Sequence, residues 1–354
     1  VSTLRQRNVA WWSALVSVLL LAVAGVGFAQ PAGVEATLRV GYWGGSIGDA
    51  ITEVFVDTFR EKYGIDVTIV QAFDNPRLTQ LLAQGARPDL DVAMFTAPIM
   101  PKVVSSGIAA RLDPAAIPNL ADVHPDLKHE DNLYAAFAFG TWGIVYNTQY
   151  IDRPITSWRD LLDPAFRGKV THPDIAYNSS ILSFDALARL DGGSLETDWR
   201  PGFENLKRIL ANSPSFWSSS SQVLEWLKQG EVWISAFASG SAMELAVQPD
   251  APPVRFVNPV EGAYPVPFYL VKVVNARSPR AADLFINHML DPELQERFME
   301  RMFYGPSNLK ARVPEEWQGI ILSANEFDQL VHLDWAYFEE RQDEFTDMWL
   351  REIR

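Results

Sequence analysis

The sequence predicts an α/β protein built as two lobes, on three observations. The chain has 354 residues, more than one ordinary core accommodates. Strand and helix patterns alternate along it twice, first over 38–95 and again from Tyr134 onward. Hydrophobic residues make up 48% and charged residues 21%, the balance of a globular chain rather than a disordered one.

Residues 1–29 read as a secretory leader, with Arg5 and Arg7 ahead of an apolar run to Val26 and a small-x-small cleavage site at Gly27-Phe28-Ala29. A membrane anchor is the competing reading of the same run. No Cys follows it, so the residue that lipid-anchored bacterial exports use is missing. A soluble periplasmic protein is expected. After a polar lead, 38–43 reads as a strand closed by Gly44-Gly45. Ile51, Val54, Phe55 and Phe59 recur at helical spacing over 49–63. A strand about Val67–Val70 follows, then a helix over 76–84 with Leu78, Leu81 and Leu82 on one face, and a strand over 90–95. This β-α-β-α-β order predicts a parallel sheet with helices on both faces.

The second stretch opens with a long apolar run, 134–147, able to pass between lobes. A short helix over 157–162, a strand over 169–171 and a helix over 178–190 ended by Gly192-Gly193 come next. Helix 221–229 stops at Gly230; strands over 231–237, 255–258 and 267–274 follow. The end reads as two helices, 291–301 and 326–353, the latter carrying Val331, Trp335, Phe338, Phe345 and Trp349.

A formal charge of −14 argues against nucleic acid and anionic lipid as partners. The absence of Cys removes disulfides, thiolate metal sites and Cys nucleophiles together. Gly44-Gly45-Ser46-Ile47-Gly48 matches G-x-S-x-G between a strand and a helix, so a hydrolase using Ser46 is one alternative. None of the five His has a recognisable catalytic context, and a Gly-rich ligand loop at a helix start explains the segment as well. His124 and His129 with Asp126, Glu130 and Asp131 fit no zinc spacing and read as a solvated loop. No cofactor and no metal are expected. Small polar segments precede helices at Gly44–Ser46, Thr96, Ser179 with its neighbours, and 218–221. Each alone is ordinary capping; four at strand ends in two α/β lobes mark where a crevice forms.

Ten segments carry a family resemblance. They are GYWGG at 41–45, FREKYGIDV at 59–67, PDLDV at 88–92, GIVYNT at 143–148, SWRDLLDP at 157–164, GKV at 168–170, GEVWI at 230–234, PVEGA at 259–263, FINHML at 285–290 and YGPSN at 304–308. In this order the chain resembles the periplasmic solute-binding proteins of ABC importers, in the spermidine/putrescine-binding group with its ferric-ion and aminoethylphosphonate relatives. The resemblance implies the type II periplasmic binding protein fold, with a ligand cleft between lobes joined by two hinge strands near 138–142 and 264–268. Lobe 1 would cover 36–138 and 267–303, and lobe 2 140–264 and 304–354. It implies a receptor rather than an enzyme, a monomer, closing on a solute and delivering it to a membrane permease and its ATPase. A sensor that presents its closed form to another membrane receptor fits the same sequence.

Polyamine binders of the family hold ammonium groups with carboxylates and methylenes between aromatics. Matching by motif places Trp43, Thr96 and Phe237 at contact positions. The expected acids are missing: Tyr177 stands for a Glu, Phe237-Ala238-Ser239-Gly240 for aromatic-x-Gly-Asp, and the Asp expected near Phe268 is absent; Asp174 is the substitute on offer. No Tyr-Tyr pair exists for iron. The expected crevice is Tyr42, Trp43, Ser46, Phe73, Thr96, Trp142, Asp174, Tyr177, Ser179, Phe237, Ser239, Tyr264 and Tyr304, with core packing the competing role of each aromatic. Such a site suits a small amine, amino acid or organic anion; a true putrescine or spermidine receptor is the alternative.

Overall fold

The computed structural model describes residues 32–177 and 179–353. The leader expected over 1–29 lies outside the described residues, and no helix among them is long and apolar enough to cross a membrane.

β1 (Thr37–Tyr42) is followed by one helical run in three parts: α1 (Gly45–Ile51), a π-helical stretch (Thr52–Val56) and α2 (Asp57–Tyr63). The run starts four residues before the expected 49. At the change of pitch, Thr52 Oγ1 donates to the Gly48 carbonyl at 2.8 Å, a back-bond of the kind that bends helices. Gly64 ends the run at φ 64°, a left-handed turn that needs no Cβ. β2 (Asp66–Gln71), α3 (Asp74–Gln84), β3 (Val92–Thr96) and α4 (Met100–Ser105) complete the pattern, and both β2 and β3 run parallel to β1.

β4 (Ala135–Asn147) is buried along its whole length. The second lobe adds β5 (Val170–Thr171), α5 (Ser180–Arg189), α6 (Arg200–Asn212), α7 (Ser220–Gln229), β6 (Ile234–Ala238), α8 (Ser239–Ala246) and β7 (Val254–Val257). β8 (Tyr264–Lys272) returns to the first lobe and pairs antiparallel with β3, and α9 (Pro279–Met289), α10 (Pro292–Met302) and β9 (Gly305–Pro306) follow. The sheet order is β2-β1-β3-β8-β4-β6-β5. The sequence reading passed over α4, α6, α8 and α9.

Residues 138–142 of β4 lie opposite 264–268 of β8, so the two crossings form one antiparallel ladder. Pro265 and Pro267 sit in β8 before β3 joins it, where β4 is the only strand neighbour among the described residues, an edge position that proline tolerates. One apolar core gathers around β1, β3, α2 and α9, and a second around Trp142, Trp158, α5, α6 and Trp217.

The C-terminal end departs from expectation. Instead of one helix over 326–353 there is a 3-10 turn (Ala324–Gln329), an extended link, α11 (Trp335–Glu340) and α12 (Gln342–Glu352). Val331 N–H leaves the helix to bond the Ala263 carbonyl at 2.8 Å, and Asp334 caps α11 by accepting from Tyr337 N–H. Leu322, Phe327 and Leu330 enter the first core, Phe345 and Trp349 the second. The segment after residue 304 is therefore shared between lobes rather than part of lobe 2 alone.

Two buried histidines give the fold a pH dependence. His172 Nδ1–H donates to the Pro173 carbonyl at 2.7 Å, and His288 Nε2 bonds the Thr58 hydroxyl at 2.9 Å. Burial pushes both down to about 4, with Lys62 adding to the effect on His288. The unfolded chain, titrating near 6.5, binds these protons first, so the contribution is complete above about pH 6.5 and is lost as pH falls toward 4. From pH 7 to pH 5 the pair is expected to cost about 4 kcal/mol. Calorimetric melts read this directly, and an unchanged midpoint, or the full slope persisting in His172→Gln/His288→Gln, would sink the account.

Candidate functional site

A cavity of about 570 Å³ lies between the two cores, at the carboxyl ends of β1 and β3 and over the crossing strands. Gly140 and Trp142 of β4 and Pro265, Val266 and Phe268 of β8 form its base. The first lobe supplies Trp43, Ser46, Phe73 and Thr96; the second supplies Tyr177, Ser179, Ser220 and the first turns of α8. All four polar segments singled out before helices contribute a lining residue: Ser46, Thr96, Ser179 and Ser220. Helix starts, with their partial positive ends, thus open on one space from both sides.

Eight of the thirteen expected residues line this cavity: Trp43, Ser46, Phe73, Thr96, Trp142, Tyr177, Ser179 and Tyr304. Phe73 is 79% exposed, an apolar ring left bare at the mouth. Trp142 stacks on Tyr177 with ring centres 5.9 Å apart, and the Tyr177 hydroxyl meets Ser220 Oγ at 3.0 Å. Burial raises the Tyr177 phenol, which stays neutral. Tyr304 packs on Phe268 at 4.8 Å. Its phenol is pushed up by burial, with Tyr177 and Glu244 adding to the effect.

Five expected residues do not line the cavity. Tyr42 faces the first core and bonds Thr52 Oγ1 at 2.9 Å, its phenol pushed up to about 12 by burial. Phe237 is fully buried in the second core. Ser239 Oγ accepts from Thr141 N–H at 3.0 Å and is spent on the hinge strand. The Tyr264 hydroxyl donates to the buried Asp185 at 2.8 Å. Asp174 accepts from Ala176 N–H in a local turn and does not reach the cavity.

Sequence reasoning missed two carboxylates that do reach it. Asp74, in the first turn of α3, accepts from Trp43 Nε1 at 2.8 Å and from both the backbone N–H and hydroxyl of Thr96. The buried Arg77 guanidinium lies 3.6 Å away. Burial lowers the Arg77 guanidinium to about 10, against the pull of Asp74. Asp74 is consumed in setting the Trp43 indole and Thr96 against the cavity. The Phe73-Asp74-Asn75-Pro76 helix start was its signal. Glu244 is different: it is half-buried, lines the cavity and has no ion-pair or hydrogen-bond partner among the described residues. It stands one helical turn beyond Gly240, the position matched to the family's aspartate. A Cβ at Gly240 would clash with the Tyr304 ring, and one at Gly140 would lie 3.0 Å from it. Tyr304 thus occupies the space in front of Gly240, and the carboxylate comes from the next turn of α8. No Lys, Arg or His is among the lining residues, so the cavity carries negative side-chain charge.

Ser46 lies in the first turn of α1 with no His among the cavity residues, which removes the hydrolase arrangement.

Two α/β lobes, paired crossing strands and a cavity reached from both sides define a solute receptor that works by hinge closure. The chain belongs to the bacterial extracellular solute-binding protein family, whose profile matches residues 55–322. Members of this family are receptors rather than enzymes, and serve as the solute-binding components of ABC importers that dock with a permease. The putrescine-binding periplasmic protein PotF of Escherichia coli is 24% identical over 332 residues, covering 87% of this chain and 86% of its own. The gamma-aminobutyric acid-binding protein of Pseudomonas aeruginosa is 24% identical over 301 residues, with 81% of each chain covered. Among solved structures, an ABC transporter protein from Clostridium perfringens superposes with a TM-score of 0.77 at 22% identity, covering 90% of this chain and 100% of that one.

Proposed function

We propose that this receptor captures a small organic solute bearing an ammonium group, closes on it, and hands it to the permease and its ATPase. It acts as a periplasmic monomer once the leader over 1–29 is removed, with lobe 1 over 36–138 and 267–303 and lobe 2 over 140–264. The observation that carries the ligand class is Glu244, a half-buried carboxylate with no cation near it in a cavity without Lys, Arg or His. A half-buried carboxylate of this kind calls for a positive partner once the lobes close over it. The aromatic rings of Trp43, Phe73 and Tyr177 suit the methylenes of such a solute and add cation–π attraction. The helix starts across the cavity suit an anionic or hydroxyl group at its other end, so an ω-amino acid fits as well as a diamine. The names of two relatives, a putrescine binder and a gamma-aminobutyric acid binder, point to the same chemistry. Of the small amines, amino acids and organic anions that the sequence suits, Glu244 favours those that carry an amine.

A thermal-shift panel of the leaderless protein tests it, with putrescine, spermidine, gamma-aminobutyric acid, aminoethylphosphonate and carboxylates lacking an amine. An amine at 100 times its Kd adds about 2.7 kcal/mol of stability, a shift of several degrees. Stabilisation by amine-free carboxylates alone overturns the reading.

A further inference from the structure

Trp335 belongs to no motif that the sequence shares with its family, and it holds an unusual place. It packs against both apolar cores. It also lines three cavities at once. One is the ligand cavity. A second, small one contains Lys102, Phe338 and Glu339. A third, about 640 Å³, lies beside Met100, Val104, Tyr134 and Glu340. Among the described residues, Trp335 is the one that lines all three cavities.

The segment that carries Trp335 runs from one lobe to the other. Leu330 sits in the first core, and Val331 is bonded to the Ala263 carbonyl. Beyond α11, Phe345 and Trp349 are buried in the second core, Arg341 lies over the Trp199 ring at 4.5 Å, and Glu352 pairs with Lys207 at 2.8 Å. Between these anchors Glu339 approaches Lys102 of the first lobe at 3.8 Å. An element tied to both lobes changes its fit when the lobes move, so the residue it presents to the cavity is set by closure itself.

We propose that Trp335 is a specificity-determining residue: the end wall that limits solute length, held in place by a C-terminal strap joining the lobes. The length limit rests on the amine reading given above; the strap does not. Replacing the indole by a methyl group joins the ligand cavity to the space behind, where Glu340 offers a carboxylate to a second, distant ammonium.

The test is calorimetric titration of wild type and Trp335→Ala with α,ω-diamines and ω-amino acids of two to seven methylenes. Short solutes are expected to weaken about tenfold and the longest diamines to tighten, so that the preferred length rises; Trp335→Phe should restore most of the wild-type order. Equal weakening at every length overturns the end wall. A second measurement needs no ligand. The chain has no Cys, so spin labels at Glu61→Cys and Glu204→Cys, one exposed site in each lobe, report the distance between lobes without background. Trp335→Ala is expected to lengthen and broaden that distance in the ligand-free protein, and an unchanged distribution overturns the strap. If wild type binds no member of the series, the amine reading and the length limit both fall, while the distance still decides the strap.

Discussion

Glu244→Gln is expected to weaken binding of the amine ligand about 100-fold, or roughly 2.7 kcal/mol, with little change in the stability of the ligand-free protein. The two halves of this expectation have one cause. Glutamine keeps the shape and an acceptor oxygen but loses the charge that offsets a desolvated ammonium. Without ligand the carboxylate has no ion-pair partner among the described residues, so nothing in the fold depends on it. Asp74→Asn should behave in the opposite way. Its carboxylate holds Trp43, Thr96 and Arg77, so its loss lowers stability as well as affinity. Titration calorimetry with the ligand found in the panel, beside urea melts of the ligand-free variants, separates the two. Unchanged affinity in Glu244→Gln would remove Glu244 from the site.

The largest effect on stability is expected from Asp185→Ala, about 3–5 kcal/mol. Asp185 is fully buried on α5 and accepts three bonds: from Tyr264 Oη at 2.8 Å, Leu195 N–H at 2.7 Å and Arg189 Nε at 2.5 Å. Alanine leaves a buried hydroxyl and a buried amide without acceptors. Burial and the Asp185 charge together push the Tyr264 phenol far up, so it remains a donor at all ordinary pH. The bond also ties hinge strand β8 to the helix whose first turn lines the cavity, so the loss should appear in affinity too. Asp185→Asn keeps an acceptor and should cost less. A urea midpoint within 1 kcal/mol of wild type for the alanine variant would show that the network is replaceable.

The expected residues that line the cavity share a local signal. Trp43, Thr96, Ser46 and Ser179 follow strands or begin helices, and those ends gather at a crevice in any open α/β sheet. The misplacements are mostly slips of one position. Tyr42 faces the core while Trp43 lines the cavity, and Phe237 is buried while Ala238 and Ser241 reach it. Side chains alternate along a strand, so an ungapped motif match that is off by one residue reverses the face. Asp174 failed for another reason: a short carboxylate beside a turn N–H satisfies itself locally before it reaches a ligand.

The sequence by itself determined the α/β class, the β-α-β-α-β order that opens the first lobe, the two crossing segments and the receptor family. Periodicity, caps and turn residues act over a few positions, and the family segments keep their order along the chain. Tertiary structure alone decided which charges stand in the cleft. Glu244 reaches it because Tyr304 fills the space before Gly240, and Asp74 is spent because Trp43, Thr96 and Arg77 converge on it. It also decided that the apolar pattern after residue 326 is broken into a turn, a link and two short helices serving both cores. Helical spacing shows that Phe345 and Trp349 share a face, whereas the core they join is set by packing between segments far apart in the chain.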